Sequence, residues 1–188
     1  MTGLGGWPAG GQILVTNPHF DTDVSGWQEV LGTLIWTDLT DEGDCSASGS
    51  AIVASEHEGG QEIAAMEQCA PIGGVANLFA QVRHMGYGNF TIELDFTTTE
   101  NCSTGFLTTA STTVAQTPGV WQTTLVSGVP PPGTNRVLLR FFAVDTDPHG
   151  LSIDEAILGS RWPLLIDGFD RNDPEGGGGS APCRWGVN

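Results

Sequence analysis

The chain has 188 residues, of which 22 are acidic and six, all arginine, are basic, giving a formal net charge of −16. Binding to phosphate backbones or to anionic membrane surfaces requires cations, so this balance argues against a nucleic-acid partner and against a charged lipid surface. No apolar run reaches the roughly 20 residues that span a bilayer, which argues against membrane insertion.

The length predicts one domain with a core large enough to fold without depending on disulfides. Residues 1–11 are rich in glycine and have neither the basic start nor the apolar stretch of a signal peptide, so we interpret them as an N-terminal arm. A β-sandwich domain is predicted for residues 12–159. Residues 160–188, acidic and glycine-rich, are predicted to form a short irregular C-terminal tail.

Short β-strands are predicted along almost the whole domain. In residues 90–96 and 136–144 every second residue is apolar, which places one face in a core and the other in water. The connection 85–89 contains two glycines and an asparagine, which predicts a hairpin between the strands at 75–84 and 90–96. Regular spacing with turn residues between strands is typical of an all-β, two-sheet antiparallel sandwich. The predicted strands are 12–16, 27–36, 50–54, 61–68, 75–84, 90–96, 104–109, 120–126, 136–144 and 151–158.

The alternation also predicts which polar side chains face outward. Carbohydrate sites combine aromatic faces with planar polar side chains, because sugars present both C–H faces and hydroxyl edges. Outward-facing residues of the central strands have that composition. The alternative is a solvated face with ion pairs across the strands. The ligand-binding candidates are Gln81, Arg83, Glu93, Arg140 and Phe142, with Trp36 and Tyr87 as further candidates.

Four cysteines and no CxxC spacing favour disulfides, and therefore an oxidising compartment, over a metal or redox motif. Three pairings of four cysteines are possible, and spacing does not choose between them. The four histidines are scattered and show no zinc-ligand spacing. No pair of carboxylates is singled out for acid–base catalysis, so we do not expect an enzyme.

Two segments near the ends of the domain carry a resemblance to a known family. Asn17-Pro18-His19-Phe20-Asp21 followed by Ser25-Gly26-Trp27 resembles the N-x-x-F-E … G-W opening of galactose-binding-like jelly-roll domains, and Ile153-Asp154-Glu155-Ala156 resembles their closing I-D-D-V strand. Carbohydrate-binding modules of families 4, 9, 16 and 22 belong to this group. The resemblance covers roughly residues 12–158.

The resemblance implies a structural calcium ion between the first and last strands. Asp21 and Asp154 are the side-chain candidates, and carbonyl groups at Asn17 or Ser50 are the further ones. The chain has Asp21 where the family more often has glutamate, which shortens the arm that would reach the ion. The alternative is that aspartates in turns bond to their own backbone.

The resemblance also implies a disulfide between Cys69 and Cys102. Cys45 and Cys183 would then connect the tail to the sandwich. The predicted protein is a non-catalytic module, secreted and extracellular or on a cell surface, that binds a polysaccharide or other glycan. The alternative is a structural subunit of an extracellular filament, surface layer or adhesin, which self-assembles through its termini.

Overall fold

The computed structural model describes residues 14–20, 22–38, 49–58, 61–145 and 150–160. These residues form eleven strands and no helix, so the all-β prediction is confirmed, and they contain no helix that could cross a membrane. The strands are β1 (Gln28–Leu31), β2 (Thr33–Thr37), β3 (Ser50–Ala54), β4 (Glu56–Glu58), β5 (Gln61–Pro71), β6 (Leu78–Met85), β7 (Asn89–Thr97), β8 (Phe106–Ala115), β9 (Gln122–Gly128), β10 (Arg136–Val144) and β11 (Leu151–Gly159).

The strands pair antiparallel in two sheets. The six-stranded sheet has the order β1-β5-β10-β7-β8, and β4 pairs with β5 as well. The five-stranded sheet has the order β2-β3-β11-β6-β9. The two inner faces enclose one hydrophobic core, as expected for a β-sandwich.

Alternation along the strands decides what enters this core. Phe90, Ile92, Leu94 and Phe96 of β7 are at most 1% exposed, and every second residue of β10 from Val137 onward is fully buried. The sequence prediction for these two strands is therefore confirmed. Trp27 joins the same core, where its ring stacks on that of Phe141 at a centroid distance of 5.4 Å.

The single strand predicted at 27–36 is in fact two strands that belong to different sheets. Gly32 lies between them with a φ of +90°, and a Cβ there would come within 2.0 Å of the carbonyl oxygen of Ala54. Only glycine allows this turn at such close range. The chain therefore leaves the six-stranded sheet after β1 and enters the five-stranded sheet as β2.

The hairpin predicted between 75–84 and 90–96 is wrong. β6 lies in the five-stranded sheet, whereas β7 lies in the six-stranded sheet with β10 on one side and β8 on the other. Both edges of β7 are thus occupied. The 85–89 connection has the composition of a hairpin turn but crosses from one sheet to the other.

The strand predicted at 12–16 is also not found, since residues 14–16 form none and residues 12–13 lie outside the described part. The segment 14–20 instead bonds to β11 at two points: Leu14 N–H donates to Leu158 O at 2.9 Å, and Ala156 N–H donates to Pro18 O at 2.8 Å. Phe20 anchors the segment because its side chain is fully buried. The predicted contact between the start and the end of the domain is therefore present without a regular strand.

The predicted disulfide between Cys69 and Cys102 is confirmed, with a Cα–Cα distance of 5.8 Å. Cys45 and Cys183 lie outside the described residues, as do the N-terminal arm and all of the tail beyond residue 160. Their predicted pairing stays a prediction.

Candidate ligand-binding face

The outward side of the six-stranded sheet carries polar and aromatic side chains that lie in register across its antiparallel strands. One row crosses the sheet through Gln28, Glu67, Arg140, Glu93 and Ser111, in the strand order β1-β5-β10-β7-β8. We call this row the central row. The residues of β5, β7 and β10 on the opposite side alternate with these and fill the core.

Arg140 lies in the middle of the central row and contacts three carboxylates. Its Nε donates to Glu67 Oε2 at 2.9 Å, and its Nη1 donates to Glu93 Oε1 at 3.4 Å. Nη1 also lies 3.5 Å from Asp95 Oδ2. The Thr109 hydroxyl on β8 donates to the other Asp95 oxygen. One guanidinium therefore holds acidic groups from both neighbouring strands, which leaves the face with an excess of negative charge.

Partial burial and repulsion from a neighbouring carboxylate change the pKa of Glu93, one member of this cluster. Burial raises the pKa of Glu93, and the adjacent Asp95 raises it further by repulsion and by a side-chain hydrogen bond. Arg140 acts in the opposite direction and lowers the pKa of Glu93. The Glu93 carboxyl can thus serve as both donor and acceptor more readily than an ordinary surface glutamate.

The cluster is flanked by an aromatic residue on one side and a covalently anchored loop on the other. Phe142, two residues beyond Arg140, is half-buried and lies in register with Thr91, whose hydroxyl bonds to Thr113 at 2.8 Å. Tyr87, 41% exposed, lies in the connection that enters β7 at this same end of the sheet.

At the other end, the disulfide holds the 98–105 loop against β5. Arg136, at the start of β10, binds Glu100 of that loop at 2.8 Å. The polar face therefore has a fixed loop at one end and exposed aromatic groups at the other.

The structure brings together part of the predicted ligand site and separates the rest. Glu93, Arg140 and Phe142 share the outward face of the six-stranded sheet. Gln81 and Arg83 lie on β6 and alternate with the core residues Ala80 and Val82, so they face outward from the five-stranded sheet on the opposite side of the sandwich. The prediction that all five form one site is wrong, because β6 and β7 are not neighbours.

Trp36 also lies apart from this face, on the edge strand β2 of the five-stranded sheet. Its indole N–H donates to Phe20 O at 2.6 Å, and a Cβ on Gly49 would lie 2.5 Å from its ring. Trp36 therefore packs over the 14–20 segment and Gly49, and these contacts account for its position without a ligand.

Glu67, Asp95 and Thr109 belong to the cluster but were not among the predicted site residues. Alternation along β7 is enough to place Asp95 on the same side of the sheet as Glu93. Glu67 and Thr109 could not be found in this way, since only the pairing of β5 with β10 and of β7 with β8 places them beside Arg140 and Asp95.

The structure describes three of the four residues predicted to hold calcium. Asp154 is fully buried at an irregularity in β11, between Ile153 and Glu155. Ser50, also fully buried, lies one position before Ala51, which pairs with Ile153. The side-chain amide of Asn17 donates to Asp23, and the backbone carbonyl of Asn17 accepts the indole N–H of Trp27 at 3.1 Å.

Asp21 lies outside the described residues. Within the part of the chain that is described, no three acidic, histidine or cysteine side chains form a metal-binding group. A buried carboxylate beside a buried serine and the 14–20 segment is nevertheless chemically suited to a hard cation such as calcium.

Several solved carbohydrate-binding modules share this two-sheet fold. A family 61 carbohydrate-binding module, TmCBM61, in complex with β-1,4-galactotriose is similar with a TM-score of 0.57 at 13% identity, covering 80% of this chain and 99% of that one. No protein-family model matches the sequence, and no curated protein matches it either.

The same fold also occurs in proteins with catalytic functions. The enzymatically active domain of tailspike protein 4 from bacteriophage CBA120 is similar with a TM-score of 0.60 at 15% identity. The match covers 78% of this chain and 21% of that one. A Stig cyclase from Fischerella sp. TAU has a TM-score of 0.58 at 16% identity, covering 82% of this chain and 98% of that one. At these identities the similarity establishes the fold alone.

Proposed function

We propose that the chain is a non-catalytic extracellular module that binds an uncharged polysaccharide on the outward face of the six-stranded sheet. The observation that carries this proposal is the Arg140 cluster beside Phe142. Together these groups offer hydrogen-bond donors, acceptors and an aromatic surface on one rigid sheet. Hydroxyl groups of a sugar can both accept from the guanidinium and donate to the carboxylates.

The charge of the face selects the kind of glycan. Three carboxylates surround one guanidinium, and the whole chain carries a net charge of −16. A polysaccharide with uronate or sulfate groups would be repelled, whereas a neutral one would not. The similar carbohydrate-binding module was solved with a β-1,4-linked galactotriose, and a β-1,4-galactan is therefore the first probe.

Replacement of Phe142 by alanine tests the face. We expect Phe142→Ala to weaken binding of a neutral polysaccharide at least about 10-fold, because the ring supplies the apolar contact to the sugar. Isothermal titration calorimetry with a panel of neutral and anionic polysaccharides measures the effect. Phe106→Ala is the matched control, since Phe106 is an exposed aromatic of the same sheet that lies on the edge strand β8.

Two results would contradict the proposal. One is that no neutral polysaccharide of the panel binds the native chain. The other is that Phe142→Ala and Phe106→Ala bind equally well, which would place any glycan site elsewhere on the molecule.

We further propose that Asp154, with Asp21 and with oxygens near Asn17 and Ser50, holds a structural calcium ion. The position of Asp154 in the last strand, where the N–H of Ala156 bonds to Pro18 O of the 14–20 segment, supports this, because carboxylate and carbonyl oxygens are the ligands that calcium prefers. A chelator should lower the melting temperature of the native chain by several degrees, and the Asp154→Asn variant should not respond to it. Differential scanning calorimetry with and without added calcium measures both. An unchanged melting temperature on chelation would rule the ion out.

Assembly through the chain termini, as in a filament or surface-layer subunit, is the alternative that the sequence raised. Both termini lie outside the described residues, and no structural observation favours this alternative over the binding module.

A further inference from the structure

Residues 101–135 contain no aspartate, glutamate, lysine, arginine or histidine. The chain as a whole has 22 acidic and six basic residues, and all of them lie outside this segment. This uncharged segment includes the whole of β8 and β9. Four of the eight exposed large hydrophobic residues in the described part of the chain lie in it as well. They are Phe106, Leu107, Val120 and Val129.

The uncharged segment forms one side of the sandwich. β8 is the last strand of the six-stranded sheet and β9 is the last strand of the five-stranded sheet, and the two lie next to each other. Gly128 of β9 allows this approach, because a Cβ there would come within 2.8 Å of the Phe96 ring and 3.1 Å of Ala110. Among the described residues no strand pairs with the outer edge of β8.

Free strand edges are normally protected by charge, proline, short length or a bulge. The strands at the opposite edge of the six-stranded sheet follow this rule: β1 has four residues and contains Glu29, and β4 has three and contains Glu56. β8 has ten residues with no charge and no proline, and its one irregularity lies at the Phe106 end. Its sequence, with four threonines, one valine and one phenylalanine, also has a high strand propensity.

We propose that β8 is the interface of a homodimer, in which the β8 strands of two copies pair antiparallel and join the two six-stranded sheets into one. The charge of the molecule favours a second copy that approaches from this side. Two chains of −16 repel each other over most orientations, and the uncharged side is where they can approach with the least repulsion.

The sequence of β8 is also compatible with itself. A twofold axis through Ser111 keeps outward side chains beside outward side chains, as an antiparallel ladder requires. Each pair is then apolar, hydroxylic or similar in shape, and threonine pairs of this kind are favourable across strands. The pairs are Ser111 with Ser111, Ala110 with Thr112, Thr109 with Thr113, Thr108 with Val114, and Leu107 with Ala115.

The decisive variant is Ser111→Lys. In one copy Ser111 is exposed and lies next to Glu93 in the central row, so a lysine there is compatible with folding. In the dimer two lysines would face each other across the axis. Lysine also reduces the net negative charge of each chain. If only repulsion between whole chains mattered, Ser111→Lys would therefore form a tighter dimer. If the β8 strands pair as proposed, the two lysines repel each other directly across the axis and the dimer is weaker.

Gln28→Lys is the matched control. Gln28 lies at the other end of the same central row and pairs with Glu67 as Ser111 pairs with Glu93. Analytical ultracentrifugation should show that the native chain and Gln28→Lys form dimers that tighten with added salt, because salt screens the repulsion. Ser111→Lys should weaken the dimer at least about 10-fold, and an equal mixture of Ser111→Lys and Ser111→Asp chains should form a heterodimer.

A native chain that stays monomeric at all concentrations and salt levels would overturn the proposal. So would a Ser111→Lys variant that dimerises as tightly as Gln28→Lys, or a mixture of the oppositely charged variants that stays monomeric while each is folded by circular dichroism. The proposal does not depend on glycan binding, since dimerisation is measured in the absence of any polysaccharide.

Discussion

His84 lies inside the sandwich, where its imidazole stacks on the Phe90 ring at a centroid distance of 3.7 Å. The side-chain amide of Gln116 donates to Nδ1 at 3.0 Å, so Nε2 carries the proton and donates to the Thr124 hydroxyl at 2.8 Å. The histidine is thus held as a neutral group by two partners. Burial lowers its pKa to about 4.

This histidine predicts a dependence of stability on pH. An unfolded chain binds a proton on His84 below about pH 6.5, whereas the folded chain does so only below about pH 4. Between these values the unfolded state binds more protons, so the free energy of unfolding falls as the pH decreases, by about 3 kcal/mol in total. Urea unfolding at several pH values between 4 and 7 measures this slope.

The His84→Gln variant should lose most of that slope, whatever its absolute stability. His57→Gln is the control, because His57 is an exposed histidine on β4 and not part of the core. Equal slopes for His84→Gln and the native chain would mean that other groups cause the acid sensitivity.

The role of His84 was not evident from the sequence. His84 lies two positions after Val82 and four after Ala80 in β6, which marks it as inward-facing like them, but its partners Thr124 and Gln116 lie 40 and 32 residues away. Alternation gives the direction of a side chain. It does not give the residues that a second strand brings opposite it.

The element that most clearly depends on a covalent link is the loop between β7 and β8. The disulfide joins Cys102 in this loop to Cys69 on β5, with a sequence separation of 33. Thr97, at the end of β7, bonds to Thr104 across the same loop. The loop therefore has both a covalent and a hydrogen-bonded attachment to the six-stranded sheet.

Removal of this link should destabilise the fold substantially. In the chain-entropy model, closing a loop of this length contributes about 4 kcal/mol. We expect the Cys69→Ser/Cys102→Ser variant to lose free energy of unfolding of that order in guanidinium titrations. Ser103→Ala, in the same loop, should change it by less than about 1 kcal/mol. A double variant as stable as the native chain would show that the loop is held by its other contacts.

At the level of strands, the sequence predicted where the strands lie along the chain better than it predicted which strands pair. The predicted cores of β7 and β10 agree with the structure, because period-two alternation depends only on neighbouring residues. The hairpin prediction failed because a glycine-rich connection fits a tight turn and a crossover between sheets equally well. Gly32 was likewise interpreted as an ordinary residue of one long strand, whereas it forms the turn at which the chain passes from one sheet to the other.

For the whole molecule, the distribution of charge is as informative as its amount. The acidic excess lies outside residues 101–135, so one side of the sandwich is neutral while the chain remains strongly anionic. The composition alone, with 15% charged residues, did not reveal this. The topology reveals it by placing β8 and β9 next to each other at one side.

The order of the strands has a further consequence for the synthesis of the chain. β10 separates β5 from β7 in one sheet, and β11 separates β3 from β6 in the other. These two central strands are the last strands of the domain in sequence order, so before they are made only fragments of each sheet are present. At about 5–20 residues per second, synthesis of the stretch from β3 to β11 takes on the order of 10 s. The core of the domain can therefore close only after both central strands have been made, and until then the unpaired strands are accessible to chaperones.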